Sequence, residues 1–226
     1  MATSTTYTTF ERLVGRGDEA VIVVKLMMAF NDLALSNEGL SIFKERHAAK
    51  PNSKDRGAAM YFIRLQASHL HEAMKILDAI AAHERLRNVV AQCSEATRNA
   101  FDRLVALRTD DTQKQKFEQY VGRLRHNLTF HYDESGDLIK RAMEGRAKKP
   151  EGNPTSITRG TEPYSWRFTI ADNVVDTVVC RQIWNIPEGA DLRAEADVAA
   201  DYGHEIFAAF ADFAAEFVTK YVRDGA

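Results

Sequence analysis

Apolar residues that recur every three or four positions are the feature of this sequence that most constrains its fold. The segment from Gly57 to about Val90 has this spacing throughout, which predicts one long helix with a continuous apolar face. That face comprises Met60, Ile63, Ala67, Leu70, Met74, Leu77 and Ala81. A second row also carries one histidine and one carboxylate: Phe62, Leu65, His69, Glu72, Ile76 and Ala79. A helix that is apolar on two faces usually lies at the centre of a bundle.

The same spacing predicts helices on both sides of this segment. Residues 18–36 open with an acidic pair, which suits a helix N-terminus, and then continue with apolar residues at helical spacing. A polar connection, ERHAAKPNSKDRG, ends near residue 57. Further helices are predicted at 94–108 after a Ser-x-x-Thr start, from an Asp110 or Asp111 cap to about Tyr132, and at 136–146.

In the C-terminal third of the chain the sequence pattern predicts a loop as well as helices. Residues 147–165 contain three of the five prolines, which predicts a long loop. Residues 166–184 combine β-branched residues typical of strands with a helical spacing of valines, and we favour a helix. The last segment has an aromatic stripe that predicts core packing, with a dimer surface as the alternative: Val198, Tyr202, Ile206, Phe210, Phe213, Phe217 and Tyr221.

These patterns predict an all-α protein, an up-and-down helical bundle with additional C-terminal helices, because segments with strand periodicity are nearly absent. The expected organisation has four parts. They are an N-terminal arm at 1–17, a helical bundle at 18–146, the loop at 147–165, and C-terminal helices at 166–226 that pack on the same bundle.

Composition excludes several classes of protein. A net charge of −2 argues against a protein that coats nucleic acid nonspecifically, because nonspecific affinity requires many Lys and Arg residues. A small local basic binding site is still possible. Cys93 and Cys180 lie far apart and outside any metal-binding spacing, so we expect two buried, inert thiols. No signal-like N-terminus or long apolar run is present, so we expect a cytoplasmic protein without a membrane segment.

Familiar catalytic motifs are absent from the sequence. His71 and Glu72 begin a string similar to HExxH, but the fifth position is Lys75, so the second metal-binding imidazole is missing. The sequence also lacks a Walker-type loop, a GxGxxG and a GxSxG. We therefore expect neither a metal ion nor a cofactor.

Arginine and histidine instead concentrate in RLRHNLTFHYD, residues 123–133, where Arg125 and His131 are separated by five residues. A polar residue follows the arginine, and an aromatic residue precedes the histidine. This segment resembles the Arg-x(4-6)-His motif of HEPN domains, an all-helical family named for higher eukaryotes and prokaryotes nucleotide-binding. The resemblance covers about residues 18–146, and it includes the position of the motif near the end of a late helix.

The resemblance implies a metal-independent endoribonuclease of a defence or toxin–antitoxin type, with a composite site at a homodimer interface. The residue types suit RNA cleavage, because histidine titrates near neutrality and arginine supplies a fixed cation. Arg125 would clamp the phosphate, and His131 would act as general base or acid. His126, Asn127 and Arg123 would contact the phosphate or RNA. In an ideal α-helix Arg125 and His131 lie about 120° and roughly 9 Å apart, so two chains would bring them together more readily than one.

Three polar residues of the central helix are candidates to support this site: Arg64, His69 and Glu72. His69 and Glu72 could alternatively bond only to each other, since they are three residues apart. Two other functions stay open for the whole chain. One is a non-catalytic scaffold that holds a protein partner, such as an antitoxin-like protein, through the aromatic stripe or the loop, and the other is a nucleotide-binding module.

Overall fold

The computed structural model describes residues 5–129, 135–148, 155–159, 161 and 167–223, and this part of the chain is almost entirely helical. The predicted all-α class is therefore confirmed. The α-helices are α1 (Phe10–Val14), α2 (Asp18–Ala49), α3 (Ser53–Ala82), α4 (Glu84–Gln92), α5 (Glu95–Thr109), α6 (Asp111–Phe117), α7 (Asp137–Ala147), α8 (Thr169–Thr177) and α9 (Leu192–Arg223). In the described ranges the chain also forms π-helices: π1 (Glu118–Gly122) and π2 (Arg125–Thr129) follow α6, and π3 (Val178–Ile183) follows α8.

The connection predicted to end near residue 57 is shorter in the structure, where only Lys50, Pro51 and Asn52 separate α2 from α3. Pro51 explains where α2 stops, because the residue before a proline is disfavoured in helical conformation. Asn52 explains where α3 starts, since its Oδ1 accepts a hydrogen bond from the backbone N of Asp55 at 2.8 Å.

The single helix predicted from Gly57 to Val90 is in fact two helices. α3 ends at Ala82, and His83 adopts an extended backbone conformation, with φ −92° and ψ 114°, at the N-cap of α4. The next two helix starts agree with the sequence. Ser94 Oγ accepts from the backbone N of Thr97, and Asp110 Oδ1 accepts from the backbone N of Gln113.

The segment at 166–184 is helical over α8 and π3, as favoured from the valine spacing, but it is preceded by a short strand. That strand, β2 (Arg167–Phe168), pairs antiparallel with β1 (Ile157–Thr158), and Ile157 lies opposite Phe168. β1 belongs to the predicted 147–165 loop, most of which lies outside the described residues.

Two compact units make up the chain, and their boundaries fall within α2, α3, α6 and α9. The first unit contains 1–34, 69–116 and 203–226, and the second contains 35–68 and 117–202. Leu33, Met74 and Phe213 are among the completely buried residues of the first unit, and Leu124, Val178 and Val179 among those of the second.

The aromatic stripe of α9 is core, as predicted, apart from its first member. Val198 is 52% exposed, whereas Tyr202, Ile206, Phe210, Phe213, Phe217 and Tyr221 are all buried. In the first unit the Phe213 ring lies 4.9 Å from the Phe101 ring and 5.0 Å from the Phe217 ring, between ring centroids. These buried aromatic rings are therefore not the surface through which a second protein could bind.

Within the described ranges, no helix is both long enough and apolar enough to cross a lipid bilayer. Both cysteines are buried, as expected.

Candidate functional site

The helix that carries the Arg-x-His motif is not a regular α-helix. Residues Arg125–Thr129 form π2, in which each backbone N–H bonds five residues back and the turn is wider. The separation expected for Arg125 and His131 assumed 3.6 residues per turn, which does not hold over π2, and it stays a prediction because His131 lies outside the described residues. Short π-helical turns within longer helices occur frequently at functional sites.

The basic side chains of the motif lie on the outer side of this helix. Arg123 and His126 are exposed, Arg125 and Asn127 are half-buried, and Leu124 is buried. The apolar residues of the segment thus anchor the helix in the second unit, while the charged residues face outward.

Two hydrogen bonds organise the predicted phosphate-binding group. Nη1 of Arg125 lies 3.3 Å from Nδ1 of His126, which places a guanidinium beside an imidazole. Nδ2 of Asn127 donates to the backbone oxygen of Arg123 at 2.7 Å, so one N–H of that amide is used within the helix. His131 lies outside the described residues, and its pairing with Arg125 stays a prediction.

Of the three predicted supporting residues, Arg64 contacts the motif helix. Its Nη1 donates to the backbone oxygen of Leu128 at 3.1 Å. Carbonyl oxygens carry a partial negative charge that is largest toward the C-terminal end of a helix, so a guanidinium is a favourable partner there. Arg64 therefore holds the end of π2 against α3.

The other two supporting residues belong to the first unit. His69 Nδ1 lies 3.8 Å from Asp32 Oδ2, and Glu72 Oε2 accepts from Lys75 Nζ at 2.7 Å. His71 Nδ1 lies 3.6 Å from Glu72 Oε1. These contacts give both residues local charged partners within their own unit.

A second polar cluster, which the sequence did not indicate, joins α3 to α8 in the second unit. Arg56 Nε lies 3.2 Å from Asp176 Oδ2, and its Nη2 donates to Asn173 Oδ1 at 2.9 Å. One guanidinium thus binds two side chains that are three residues apart on α8. The residues are more than a hundred positions apart in sequence, so no local pattern links them.

Burial dominates the electrostatics of this cluster. It raises the pKa of Asp176, and the opposing attraction of Arg56 and Arg146 does not cancel that effect. Burial also lowers the pKa of Arg146, whose Nε donates to Thr177 Oγ1 at 2.6 Å. Oδ1 of Asp176 is buried and accepts no hydrogen bond from the residues that the structure describes.

The neighbouring Asp172 extends the cluster toward β2. Arg167 Nη2 lies 2.6 Å from Asp172 Oδ2, yet burial of the carboxyl outweighs this pairing and raises its pKa. Gly57 of α3 allows this ion pair to approach, because a Cβ at Gly57 would lie 2.0 Å from Arg167 Nη2. Burial also raises the pKa of Cys180 to about 11, so its thiol stays protonated at neutral pH.

Two cavities in the second unit share Arg146. The first, of about 340 Å³, has a largely apolar wall that includes Met60 and Ile63, and Asp176 also lines it. The second is an open cleft of about 400 Å³ whose lining is rich in hydrogen-bond donors. The lining residues are Arg141, Gly145, Arg146, Thr177, Arg181, Gln182, Asn185 and Glu188. We call it the arginine cleft.

The arginine cleft is a cationic environment. Three of its lining residues are arginines and one is a carboxylate, Glu188. Arg181 is held in place by hydrogen bonds from its Nη1 to the backbone oxygens of Ile186, at 2.9 Å, and Pro187. Nearby, Asn185 has a left-handed backbone, with φ 57°. Fixed guanidinium groups of this kind suit the recognition of phosphate or carboxylate.

Among the residues that the structure describes, no three His, Cys, Asp or Glu side chains are grouped closely enough to hold a metal ion. A scan against protein-family models, a search of curated proteins and a search of solved structures each found no match to this chain.

Proposed function

We propose that this protein is a HEPN-like, metal-independent endoribonuclease that cleaves RNA by attack of the 2′-hydroxyl. The observation that carries the proposal is the Arg125–His126 pair, a guanidinium beside an imidazole on the outer side of the motif helix. The hydrogen bond from Arg64 to Leu128 supports it, because it fixes the end of the same helix. The remaining support is the resemblance of residues 123–133 to the HEPN motif.

The proposed reaction needs only acid–base chemistry and charge stabilisation. His131 removes the proton from the 2′-hydroxyl, whose oxygen attacks the adjacent phosphorus, and the bond from phosphorus to the 5′ oxygen breaks. The 5′ oxygen then takes up a proton, which leaves a 2′,3′-cyclic phosphate and a 5′-hydroxyl. Arg125 stabilises the negative charge that develops on the phosphorane, and His126, Asn127 and Arg123 hold the flanking phosphates.

Incubation of the purified protein with single-stranded RNA in excess EDTA tests this function. We expect cleavage that survives the chelator, produces cyclic-phosphate ends and leaves an all-deoxy strand of the same sequence intact. Arg125→Ala and His131→Ala should each reduce the rate at least about 100-fold, as is usual for the loss of an acid–base or charge-stabilising group.

Arg103→Ala is the matched control, because Arg103 is an exposed arginine of α5 in the first unit. Its cleavage rate should equal that of the unmodified protein, and circular dichroism should be the same for all variants. RNA that stays intact under every condition would contradict the proposal and leave the scaffold function.

A second candidate function, the binding of a small phosphorylated molecule, is favoured by the arginine cleft. Its volume of about 400 Å³ lies in the range of ligand sites, and its three arginines exceed its one carboxylate. Pyrophosphate and nucleoside triphosphates should raise the melting temperature, because a ligand that binds only the native state stabilises it. The combined variant Arg141→Gln and Arg181→Gln should lose that rise, whereas Arg103→Gln should keep it. Equal melting temperatures with and without these ligands would exclude this function.

A further inference from the structure

The cavity of about 340 Å³ in the second unit has a wall that is largely apolar. Residues of α3, π3 and α9 form this wall, and they include Ala59, Met60, Ile63, Cys180 and Ala200. We call this space the apolar cavity. Among its lining residues in the described part of the chain there is no aromatic ring on which a flat molecule could stack. The size and the aliphatic wall of the cavity therefore favour a small aliphatic ligand.

Most of the charged groups that line the apolar cavity are already bound to other groups of the protein. Lys44 Nζ lies 3.2 Å from Asp197 Oδ1. His47 Nδ1 accepts a hydrogen bond from the backbone N of Asn52 at 3.1 Å. The guanidinium of Arg56 binds two side chains of α8. These groups therefore have partners without a ligand.

The carboxylate of Asp176 has fewer partners than it can accommodate. Its Oδ2 lies 3.2 Å from Arg56 Nε, whereas its Oδ1 is buried and accepts no hydrogen bond from the described residues. A carboxylate has about four acceptor positions, and a buried acceptor without a donor costs free energy. Burial also raises the pKa of Asp176, because the neighbouring cations do not replace the lost hydration. The side chain lines the cavity and is 16% exposed, so an ammonium group there could supply both a donor and a positive charge.

Arg146 has the opposite deficit, because it has donors that lack acceptors. Its Nε donates to Thr177 Oγ1 at 2.6 Å, and within the described part of the chain this is its only hydrogen bond. Burial lowers the pKa of Arg146, so its guanidinium also lacks sufficient opposite charge. Arg146 and Asp176 line the same cavity, yet no ion pair joins them in the described residues. A carboxylate is the group that a guanidinium binds through two parallel hydrogen bonds.

We infer that the apolar cavity binds a free aliphatic α-amino acid. Its ammonium group binds Asp176, its carboxylate binds Arg146, and its side chain packs against Met60 and Ile63. An α-amino acid carries the two complementary charges on one carbon atom, next to an apolar side chain. The inference goes beyond both functions proposed above, because neither RNA cleavage nor phosphate binding in the arginine cleft requires this ligand.

Simpler aliphatic ligands satisfy only one of the two charged residues. An aliphatic amine leaves the free donors of Arg146 without an acceptor. An aliphatic carboxylate leaves Oδ1 of Asp176 without a donor and places a second negative charge in the same cavity. These two classes of ligand are therefore the informative comparisons for the amino acid.

Isothermal titration calorimetry of the full chain with L-valine, L-leucine and L-isoleucine tests the inference. We expect saturable binding and a matching rise in melting temperature, since a ligand that binds only the native state stabilises it. Two analogues of leucine should bind at least about tenfold more weakly than leucine, namely 3-methylbutan-1-amine, which lacks the carboxylate, and 4-methylpentanoic acid, which lacks the ammonium group. No saturable binding of any of the three amino acids up to about 10 mM, or an analogue that binds as tightly as leucine, would overturn the inference.

Asp176→Asn and Arg146→Gln test the two charged contacts. Each variant should weaken the binding of L-leucine at least about tenfold, because it removes the charge that faces one end of the ligand. The matched controls are Glu144→Gln and Lys140→Gln, which remove one exposed carboxylate and one exposed cation of α7 and should leave the affinity unchanged. Circular dichroism should be the same for all four variants. Full affinity in either Asp176→Asn or Arg146→Gln would overturn the assigned contact.

The same two variants also test which end of the ligand each residue binds. Asp176→Asn should reduce the preference for L-leucine over 4-methylpentanoic acid, because the ammonium group has lost its partner. Arg146→Gln should reduce the preference for L-leucine over 3-methylbutan-1-amine, because the carboxylate has lost its partner. Preferences that stay as large as in the unmodified protein, or that change in the reverse order, would overturn the proposed orientation.

Ala59→Leu tests whether the ligand lies in the apolar cavity. Ala59 is half-buried on the cavity wall, and a leucine there would occupy space that the ligand needs. We expect the affinity for L-leucine to fall at least about tenfold, and the melting temperature without ligand to stay the same or rise, as is common when a cavity is filled. Ala91→Leu, the same change at an exposed position of α4, should bind normally. Normal affinity in Ala59→Leu would overturn the location, and none of these measurements depends on cleavage of RNA.

Discussion

Nη1 of Arg64 donates a hydrogen bond to the backbone oxygen of Leu128, 3.1 Å away, although the two residues are 64 positions apart. This bond joins the middle of α3 to the last described turn of the motif helix. The carbonyl oxygen carries a partial negative charge, so the guanidinium is a favourable donor to it. The positions of Arg125, His126 and Asn127 in π2 therefore depend on a residue far from the motif in sequence.

Arg64→Met should loosen the motif helix, because methionine keeps much of the aliphatic stem but cannot donate. We expect the free energy of unfolding to fall by about 1–3 kcal/mol, the usual cost of losing a hydrogen bond to a charged group. Amide hydrogen exchange should also speed up over residues 125–129. Urea titration and exchange measured by mass spectrometry check both effects. Arg103→Met should leave both unchanged, and protection at 125–129 that survives Arg64→Met would contradict the role assigned to Arg64.

Asp176→Asn should change how stability depends on pH. Burial raises the pKa of Asp176 in the folded protein above its unfolded value, so the folded state holds its proton more tightly. That contribution to stability is complete below the unfolded pKa and is lost as pH rises through the folded pKa. Asparagine cannot ionise, so the variant should become more stable relative to the unmodified protein as pH rises through this window.

Urea titrations at intervals from pH 3.5 to 8 measure this difference. Lys114→Gln serves as a control, because its change in stability should not depend on pH in that range. A difference between Asp176→Asn and the unmodified protein that stays constant, or that falls with rising pH, would show that ion pairing with Arg56 and Arg146 outweighs burial.

Glu216→Gln should show the opposite dependence on pH. In the first unit, the Glu216 carboxylate accepts hydrogen bonds from Ser94 Oγ at 2.5 Å, from Thr97 Oγ1 at 2.6 Å and from the backbone N of Ser94 at 2.8 Å. These bonds, chiefly those from the Ser94 and Thr97 side chains, lower the pKa of Glu216.

A lowered carboxyl pKa stabilises the folded state above the unfolded pKa, and the contribution is lost as pH falls through the folded pKa. The cost of Glu216→Gln should therefore be largest near neutral pH and shrink below about pH 4. Thermal unfolding at several pH values measures it, with Glu205→Gln on the exposed side of α9 as control. A cost that is equal at pH 3 and pH 7 would rule out the charge of Glu216 as its source.

The sequence was sufficient to predict features that depend on near neighbours. Ser94 and Asp110 act at helix starts as expected, and the α9 aromatic residues are buried, because caps and helical periodicity are local. The extended backbone at His83 was not predicted, because the apolar spacing continues across it. The contact of Arg56 with Asp176 was also missed, since it joins two helices that no local pattern relates.

The geometry of the motif is another feature that the local sequence does not predict. The spacing of Arg125 and His131 was read with α-helical geometry, and nothing in RLRHNLT indicates the wider turn of π2. Helix propensity hardly distinguishes an α-helix from a π-helix, so packing decides between the two. In this segment that packing includes the burial of Leu124 and Leu128. The sequence therefore provides candidate residues in this segment, but it does not predict how they are arranged.

Gly39→Ala should destabilise the second unit although alanine is the better helix former. A Cβ at Gly39 in α2 would lie 2.4 Å from Cε1 of Phe62, a contact that requires the ring to move. The ring cannot move freely, because it stacks on Phe43 at 5.7 Å and meets Tyr61 edge-on at 5.2 Å, between ring centroids. Overpacking of this kind costs about 1–3 kcal/mol, which exceeds the gain of about 1 kcal/mol in helix propensity.

The matched control is Gly145→Ala in α7, where a Cβ would meet no atom within 4 Å. With no clash to offset helix propensity, this variant should gain about 0.5–1 kcal/mol in the free energy of unfolding. Urea titration of the two variants side by side should thus give changes of opposite sign. A gain in both would mean that the Phe62 ring moves aside at little cost, and that the close approach of α2 and α3 at Gly39 does not require glycine.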